Sequence, residues 1–136
     1  MVKLVFCLRR KGDLSREEFQ RYWLEKHGPL VRRHAAALKI RRYVQSHTLD
    51  TPFDALLRES RGTAEGYDGV AEVWWESLGD LEAALGSAEG RAAGLELLED
   101  EKRFIDLPRS AVWFVEEKFE FSSPTPRGNR TGRGAA

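Results

Sequence analysis

The sequence predicts an α+β domain in which helices cover one face of a four-stranded antiparallel sheet, in the order β-α-β-β-α-β. Three observations carry that expectation. Four short segments, residues 2–8, 40–49, 69–76 and 111–115, are apolar or alternate in the manner of strands. The first and second, and the third and fourth, are separated by stretches with apolar residues at helical spacing. The length of 136 residues suits one core, since a chain of this size buries roughly two-thirds of its unfolded surface.

Val2 to Leu8 is short, apolar and partly β-branched, as expected of a strand covered on both faces. Arg9-Arg10-Lys11-Gly12 ends it. Ser15 and Glu18 form a capping box, with Leu14 and Phe19 placed to close over it as a hydrophobic staple. Phe19, Tyr22 and Trp23 then give the helix an apolar stripe that faces the sheet. His27-Gly28-Pro29 reads as a break, because Pro29 has no amide hydrogen and disfavours helical geometry at Gly28. A second helix is expected from Pro29 to about Leu38.

In the second strand, Arg41, Tyr43, Gln45 and His47 alternate with Arg42, Val44, Ser46 and Thr48, giving one polar-aromatic face. Residues 50–67 weaken in pattern and read as a surface insertion with one or two helical turns. The third strand follows, with Glu72 as its one charge before Glu76. Ser77 caps a short helix holding Leu81, Ala84 and Leu85. Ser87 starts a longer one, with Ala88, Ala92, Leu95 and Leu98 as its expected stripe, to about Arg103. Leu107-Pro108 separates this helix from the last strand. The domain is expected to occupy residues 1–121. Residues 122–136, rich in Ser, Pro, Thr, Gly and Arg, are expected to form a mobile tail.

That element order is the split βαβ, ferredoxin-like plan. It leaves one sheet face without helices, and three of the strands are apolar on both sides. The bare patch would exceed the roughly 300–600 Å² usual for a monomer, so a homodimer is expected. Lys plus Arg equal Asp plus Glu at 22 each. No net field draws the chain to nucleic acid or to an anionic membrane. No apolar run approaches the about 20 residues that span a bilayer, and no signal-peptide pattern opens the sequence. A cytoplasmic location is expected. The single cysteine, Cys7, sits in an apolar run and reads as a core residue.

With the elements placed, four stretches resemble the EthD-like branch of the dimeric α+β barrel superfamily. They are Lys3-Leu4-Val5 through Arg9-Arg10-Lys11; Phe19 to Trp23 followed by His27-Gly28-Pro29-Leu30; Tyr43-Val44-Gln45-Ser46-His47; and Asp68-Gly69-Val70-Ala71-Glu72 with Phe104-Ile105-Asp106. The resemblance implies a dimer packed sheet to sheet, with a pocket between sheet and helices in each protomer. It also implies kinship with cofactor-free cyclases, dehydratases, decarboxylases, isomerases and monooxygenases that act on aromatic or polyketide-like molecules. A fold locates a site better than it names the chemistry.

The candidate chemistry starts with histidine. His27 reads either as a general acid or as a C-capping residue. His47 shares a strand face with Tyr43 and Gln45, so that three side chains able to orient a polar ligand stand in a row, unless the face is simply solvated at the strand end. Glu72 is either a buried carboxylate with a raised pKa or the partner of Arg41 or Arg42; the strand register decides which face it occupies. Trp23, Trp74, Trp75 and Trp113, with Tyr22 and Tyr43, can line a pocket for a flat ligand or belong to core and interface, and Trp23 and Trp74 are taken as the ligand contacts. Asp106 precedes Leu107-Pro108, where a short acid commonly organises a turn, and it falls within a stretch that carries the resemblance.

No metal-ligand spacing, phosphate loop, nucleophile elbow or dinucleotide fingerprint is present in the sequence. The expected function is cofactor-free acid/base chemistry on an aromatic or polyketide-like compound, with His47 and His27 exchanging protons. Tyr43, Gln45 and Glu72 would position the ligand. The rival expectations are a non-catalytic accessory protein for an oxygenase system and a cofactor-free monooxygenase.

Overall fold

The structure, a computed structural model, describes residues 1–126. The strands are β1 (Val2–Leu8), β2 (Arg42–His47), β3 (Gly69–Trp75) and β4 (Ala111–Val115). They form one sheet in the order β2-β3-β1-β4, with every neighbouring pair antiparallel. This is the ferredoxin-like arrangement. The helices are α1 (Arg16–Tyr22), α2 (Gly28–His34), α3 (Pro52–Arg61), α4 (Leu78–Gly86) and α5 (Ala88–Phe104). No helix among the described residues is long and apolar enough to cross a membrane. Of the expected tail, residues 127–136 lie outside the described residues.

Register decides what each face carries. Tyr43, Gln45 and His47 stand opposite Val73, Ala71 and Gly69, and Leu4, Phe6 and Leu8 pair with the same three β3 residues from the other side. That face meets the helices. Its core is Leu8, Phe19, Trp23, Ala71, Phe104 and Ile105, and a fully buried side chain of this kind contributes about 1.5–3 kcal/mol. The face turned away carries Lys3, Val5 and Cys7, then Arg42 and Val44, then Val70, Glu72 and Trp74, with Trp113. Glu72 therefore lies behind the sheet, bonded to Lys3 Nζ at 2.8 Å, and not to Arg41 or Arg42. Cys7 is thus half-buried on the helix-free face and not in the core as expected, and burial pushes its thiol pKa up, which works against a nucleophilic role.

Three expectations need correction. The helix does not break at His27-Gly28-Pro29. Gly28 keeps helical dihedrals, and residues Trp23–His27 form a π-turn in which the Gly28 amide bonds the Trp23 carbonyl. The wider turn accommodates the missing Pro29 donor without ending the helix. The same Trp23 carbonyl accepts Gln45 Nε2 at 2.9 Å. A Cβ on Gly28 would stand 3.1 Å from that nitrogen, so glycine there lets β2 come close. α2 ends at His34, short of the expected Leu38, and the chain continues as turns to Lys39, which has a φ of 59°. The amides of Lys39 and Ile40 bond the carbonyls of Ala36 and Ala35, a Schellman closure with lysine where glycine is usual.

The 50–67 insertion contains a helix of 10 residues, longer than the one or two turns expected. Thr51 caps it and Gly62 closes it at a φ of 66°. On α5 three residues of the expected stripe, Ala88, Ala92 and Leu95, are exposed, and only Leu98 borders the space between helix and sheet. The buried positions are Gly90, Ala93, Asp100 and Phe104, with Leu95 60% exposed.

Candidate functional site

Between the sheet and the helices lies a cavity of about 400 Å³, within the range of small-molecule pockets. Phe6, Tyr43, Val73 and Trp75 form part of its sheet wall. Trp23, His27, Leu97 and Glu101 face them from the helices. Its lining is mostly aliphatic and aromatic, and its polar groups gather at one end.

The π-turn places His27 at that end, only 5% exposed. Its Nδ1 lies 2.7 Å from Asp100 Oδ2, and its ring packs on Phe104 at a centroid distance of 5.1 Å. Asp100 also accepts the Tyr22 hydroxyl at 2.6 Å and Arg103 Nη1 at 3.1 Å. Burial works against the Asp100 carboxylate, but the bonds from Tyr22 and His27 outweigh it and hold its pKa below the usual carboxylate value. An ionised carboxylate can only accept, so His27 carries its proton on Nδ1 and keeps the Nε2 lone pair free. Burial pushes the His27 pKa down against the pull of Asp100. The imidazole is neutral.

Glu101, one residue on, turns into the cavity with Oε2 4.0 Å from His27 Nε2. Burial and the neighbouring Asp100 charge push its pKa up to about 7. A neutral base thus faces an acid that keeps its proton close to neutrality. Opposed shifts of this kind mark out acid and base roles in an active site.

The row on β2 stands behind this pole. His47 Nε2 donates to Gln45 Oε1 at 2.7 Å, and Gln45 Nε2 donates to the Tyr43 hydroxyl at 2.9 Å. Tyr43 lines the cavity; its oxygen accepts from Gln45, leaving its own proton for a ligand. Burial raises the Tyr43 pKa, so the phenol stays a donor. His47 is outside the lining and stacks on Trp23, with ring centroids 4.5 Å apart and an interplanar angle of 14°. Gly69 makes room for this stack: a Cβ there would fall 2.3 Å from the Trp23 ring.

The structure brings His27, Tyr43 and Trp23 together at the cavity, with Gln45 and His47 in support. It places the other three elsewhere. Glu72 and Trp74 belong to the far sheet face, where Lys3 and Arg42 lie over the Trp74 ring. Trp75, one position on, is the tryptophan that lines the cavity, its Nε1 donating to the Leu38 carbonyl at 2.8 Å. Asp106 sits at a surface turn, its carbonyl accepting Ser110 Oγ at 2.8 Å and its carboxylate 3.5 Å from Arg109.

Asp100 and Glu101 are the residues that sequence reasoning missed. Glu99-Asp100-Glu101 resembles a solvated acidic surface, yet acids near a helix C-terminus oppose the macrodipole. That opposition was the available signal. Among the described residues no cluster of His, Cys, Asp or Glu is arranged to hold a metal ion.

Known proteins extend the comparison. An EthD-like protein from Ralstonia eutropha is 16% identical, with 89% of this chain and 96% of that one covered at a TM-score of 0.57. A dimeric ferredoxin-like protein of unknown function from Bacteroides fragilis is 14% identical, covering 85% and 95% at 0.54. An ethyl tert-butyl ether d (EthD) family protein from Bacillus halodurans is 19% identical, covering 87% and 99% at 0.58. At these identities the likeness concerns the fold alone. No curated protein matches. The EthD domain family matches residues 11–108, well over half of the sequence and every helix described above, and the chain belongs to that family.

Proposed function

We propose that the chain is a small-molecule enzyme that moves protons without a cofactor, in a dehydration, decarboxylation or isomerisation of an aromatic or polyketide-like compound. The observation that carries this reading is the pairing of His27, oriented by Asp100 and with its pKa lowered, with Glu101, whose pKa of about 7 keeps part of it protonated near neutrality, at the polar end of an apolar cavity. A substrate C–H or O–H lodged beside Nε2 gives its proton to His27. Asp100 stabilises the imidazolium that forms, as the third member of a catalytic triad does. Glu101 gives its proton to the oxygen on which charge develops, and Tyr43 adds a second donor there. Each such positioned group contributes about 10²–10⁴-fold to a rate. Phe6, Trp23 and Trp75 supply flat apolar walls for an aromatic body.

In this reading His27 stays a proton-transfer residue, but as the base and not the general acid expected. His47 acts at one remove, holding Gln45 so that Gln45 fixes Tyr43. The chain works as a homodimer in the cytoplasm. The half-exposed Trp113, with Val5, Val44 and Val70 on the helix-free face, supports the dimer, as does the description of the Bacteroides fragilis relative as dimeric. A monomeric mass at micromolar concentration in light scattering would remove that part.

The test is proton exchange. A panel of enolisable aromatic ketones and β-ketoesters is incubated in deuterated buffer and read by mass spectrometry, with and without the protein. Protein-dependent deuterium uptake or product formation that falls at least tenfold in His27→Ala and Glu101→Gln is the expected result. Compounds bound but returned without exchange would point to the accessory role, and turnover that requires oxygen to the monooxygenase.

A further inference from the structure

The lining of the cavity carries a second consequence, which rests on the reading of it as a ligand site. We infer that it takes neutral, largely apolar molecules bearing a hydroxyl or carbonyl and turns away their carboxylates, with Glu101 as the residue that sets this preference.

The charges near the cavity are one-sided. Among the described residues no Lys or Arg lines it. Its polar end holds His27 and Glu101, with the Asp100 carboxylate directly behind His27. Arginines do gather on the other side of the wall. Arg32, Arg41 and Arg42 line a more open groove between α2 and β2. Val31, Ile40 and Tyr43 contribute to both the groove and the cavity and form the partition. Arg41 is bonded to Glu76 at 2.9 Å, and Arg42 lies over Trp74. Arg103, which reaches Asp100, has a side chain that is 64% exposed.

A carboxylate entering the cavity therefore meets Glu101, with the Asp100 carboxylate behind His27 and no cation among the described residues to receive it. Like charges brought together in a largely buried site lined mostly by apolar side chains resist joint ionisation, so either the ligand or Glu101 must take up a proton first. A phenol or enol meets no such barrier. It can donate to His27 Nε2 or to the Glu101 carboxylate, and it can accept from Tyr43. A ketone accepts from Tyr43 or from protonated Glu101. The site is thus matched to a neutral enolisable or phenolic compound and mismatched to the corresponding acid.

Calorimetric titration of the full chain with naphthol and naphthoate at pH 8 tests this, because the two probes share an aromatic body and differ in charge. Naphthol is expected to bind at least tenfold more tightly than naphthoate. In Glu101→Gln the gap should narrow at least fivefold through a gain in naphthoate affinity. Leu97→Trp, which fills the cavity, should abolish naphthol binding and so locate it there. Equal or tighter naphthoate binding, or a gap unchanged in Glu101→Gln, would overturn the inference while leaving the ligand site standing. If neither probe binds at millimolar concentration, or naphthol binding survives Leu97→Trp, the ligand site falls and the inference with it. Binding without proton exchange in the earlier assay would remove the catalytic reading only.

Discussion

Replacing Glu101 by glutamine should stabilise the protein at alkaline pH and do little at acid pH. The side chain is 21% exposed, and the carboxyl titrates at about 7 in the folded chain against an ordinary 4.5. Between those values the folded state holds a proton that the unfolded state has released, so stability falls as pH rises through the interval. Each pH unit of it is worth about 1.4 kcal/mol, which sets the burden of an ionised Glu101 at about 3 kcal/mol by pH 8. Glutamine keeps the shape and never ionises. Glu101→Gln should therefore gain about 2–3 kcal/mol over the parent at pH 8 and less than about 1 kcal/mol at pH 5. His27 has a lowered pKa and so loses stability as pH falls, but it is common to both proteins and leaves the comparison largely intact. Urea unfolding at fixed protomer concentration gives the two differences. A gain that is the same at both pH values, or a loss at pH 8, would refute the placement of Glu101 in a dry, anionic corner.

Asp100→Ala should cost about 3 kcal/mol, because it leaves the Tyr22 hydroxyl and the His27 Nδ1–H without their acceptor. Glu99→Ala, one residue away on the exposed face, should stay within about 0.5 kcal/mol in the same denaturation assay. Gly69→Ala drives a methyl group into the Trp23 ring and should cost about 1–3 kcal/mol, with a changed near-ultraviolet signal as Trp23 leaves His47. Lys39→Gly relieves a left-handed lysine and should gain about 1 kcal/mol in thermal or urea unfolding; a loss would mean that the lysine side chain holds that turn.

Much of this architecture follows from local rules. The Ser15 and Glu18 capping box closes as its spacing dictates, with bonds of 3.0 Å and 2.9 Å, and the four strands fall close to where alternation and apolar runs put them. The departures come from interactions across the chain. A proline after glycine ordinarily ends a helix. Here the Trp23 carbonyl receives both the Gly28 amide and the Gln45 side chain, and the helix widens instead of stopping. No rule confined to neighbouring residues contains Gln45.

The site shows the same division. Tyr43, Gln45 and His47 share a face because side chains alternate along a strand, and that much was legible. The choice between Trp74 and Trp75 needed the register, since one residue moves a side chain through the sheet. Asp100 and Glu101 were hidden because the expected stripe ran through Ala88, Ala92 and Leu95, which are exposed, whereas Leu97, Leu98, Glu101 and Phe104 face inward. An acid on the buried side of a helix has the same spacing as one in water.

The central claim is that the cavity keeps a neutral acid against a neutral base. Residue-specific NMR titration of the Glu101 carboxyl and the His27 imidazole measures both directly. The account requires Glu101 to titrate at about 7 and His27 to lose its charge below 6.5 with the remaining proton on Nδ1. A Glu101 that titrates near 4.5, or a His27 still charged at neutral pH, would contradict it.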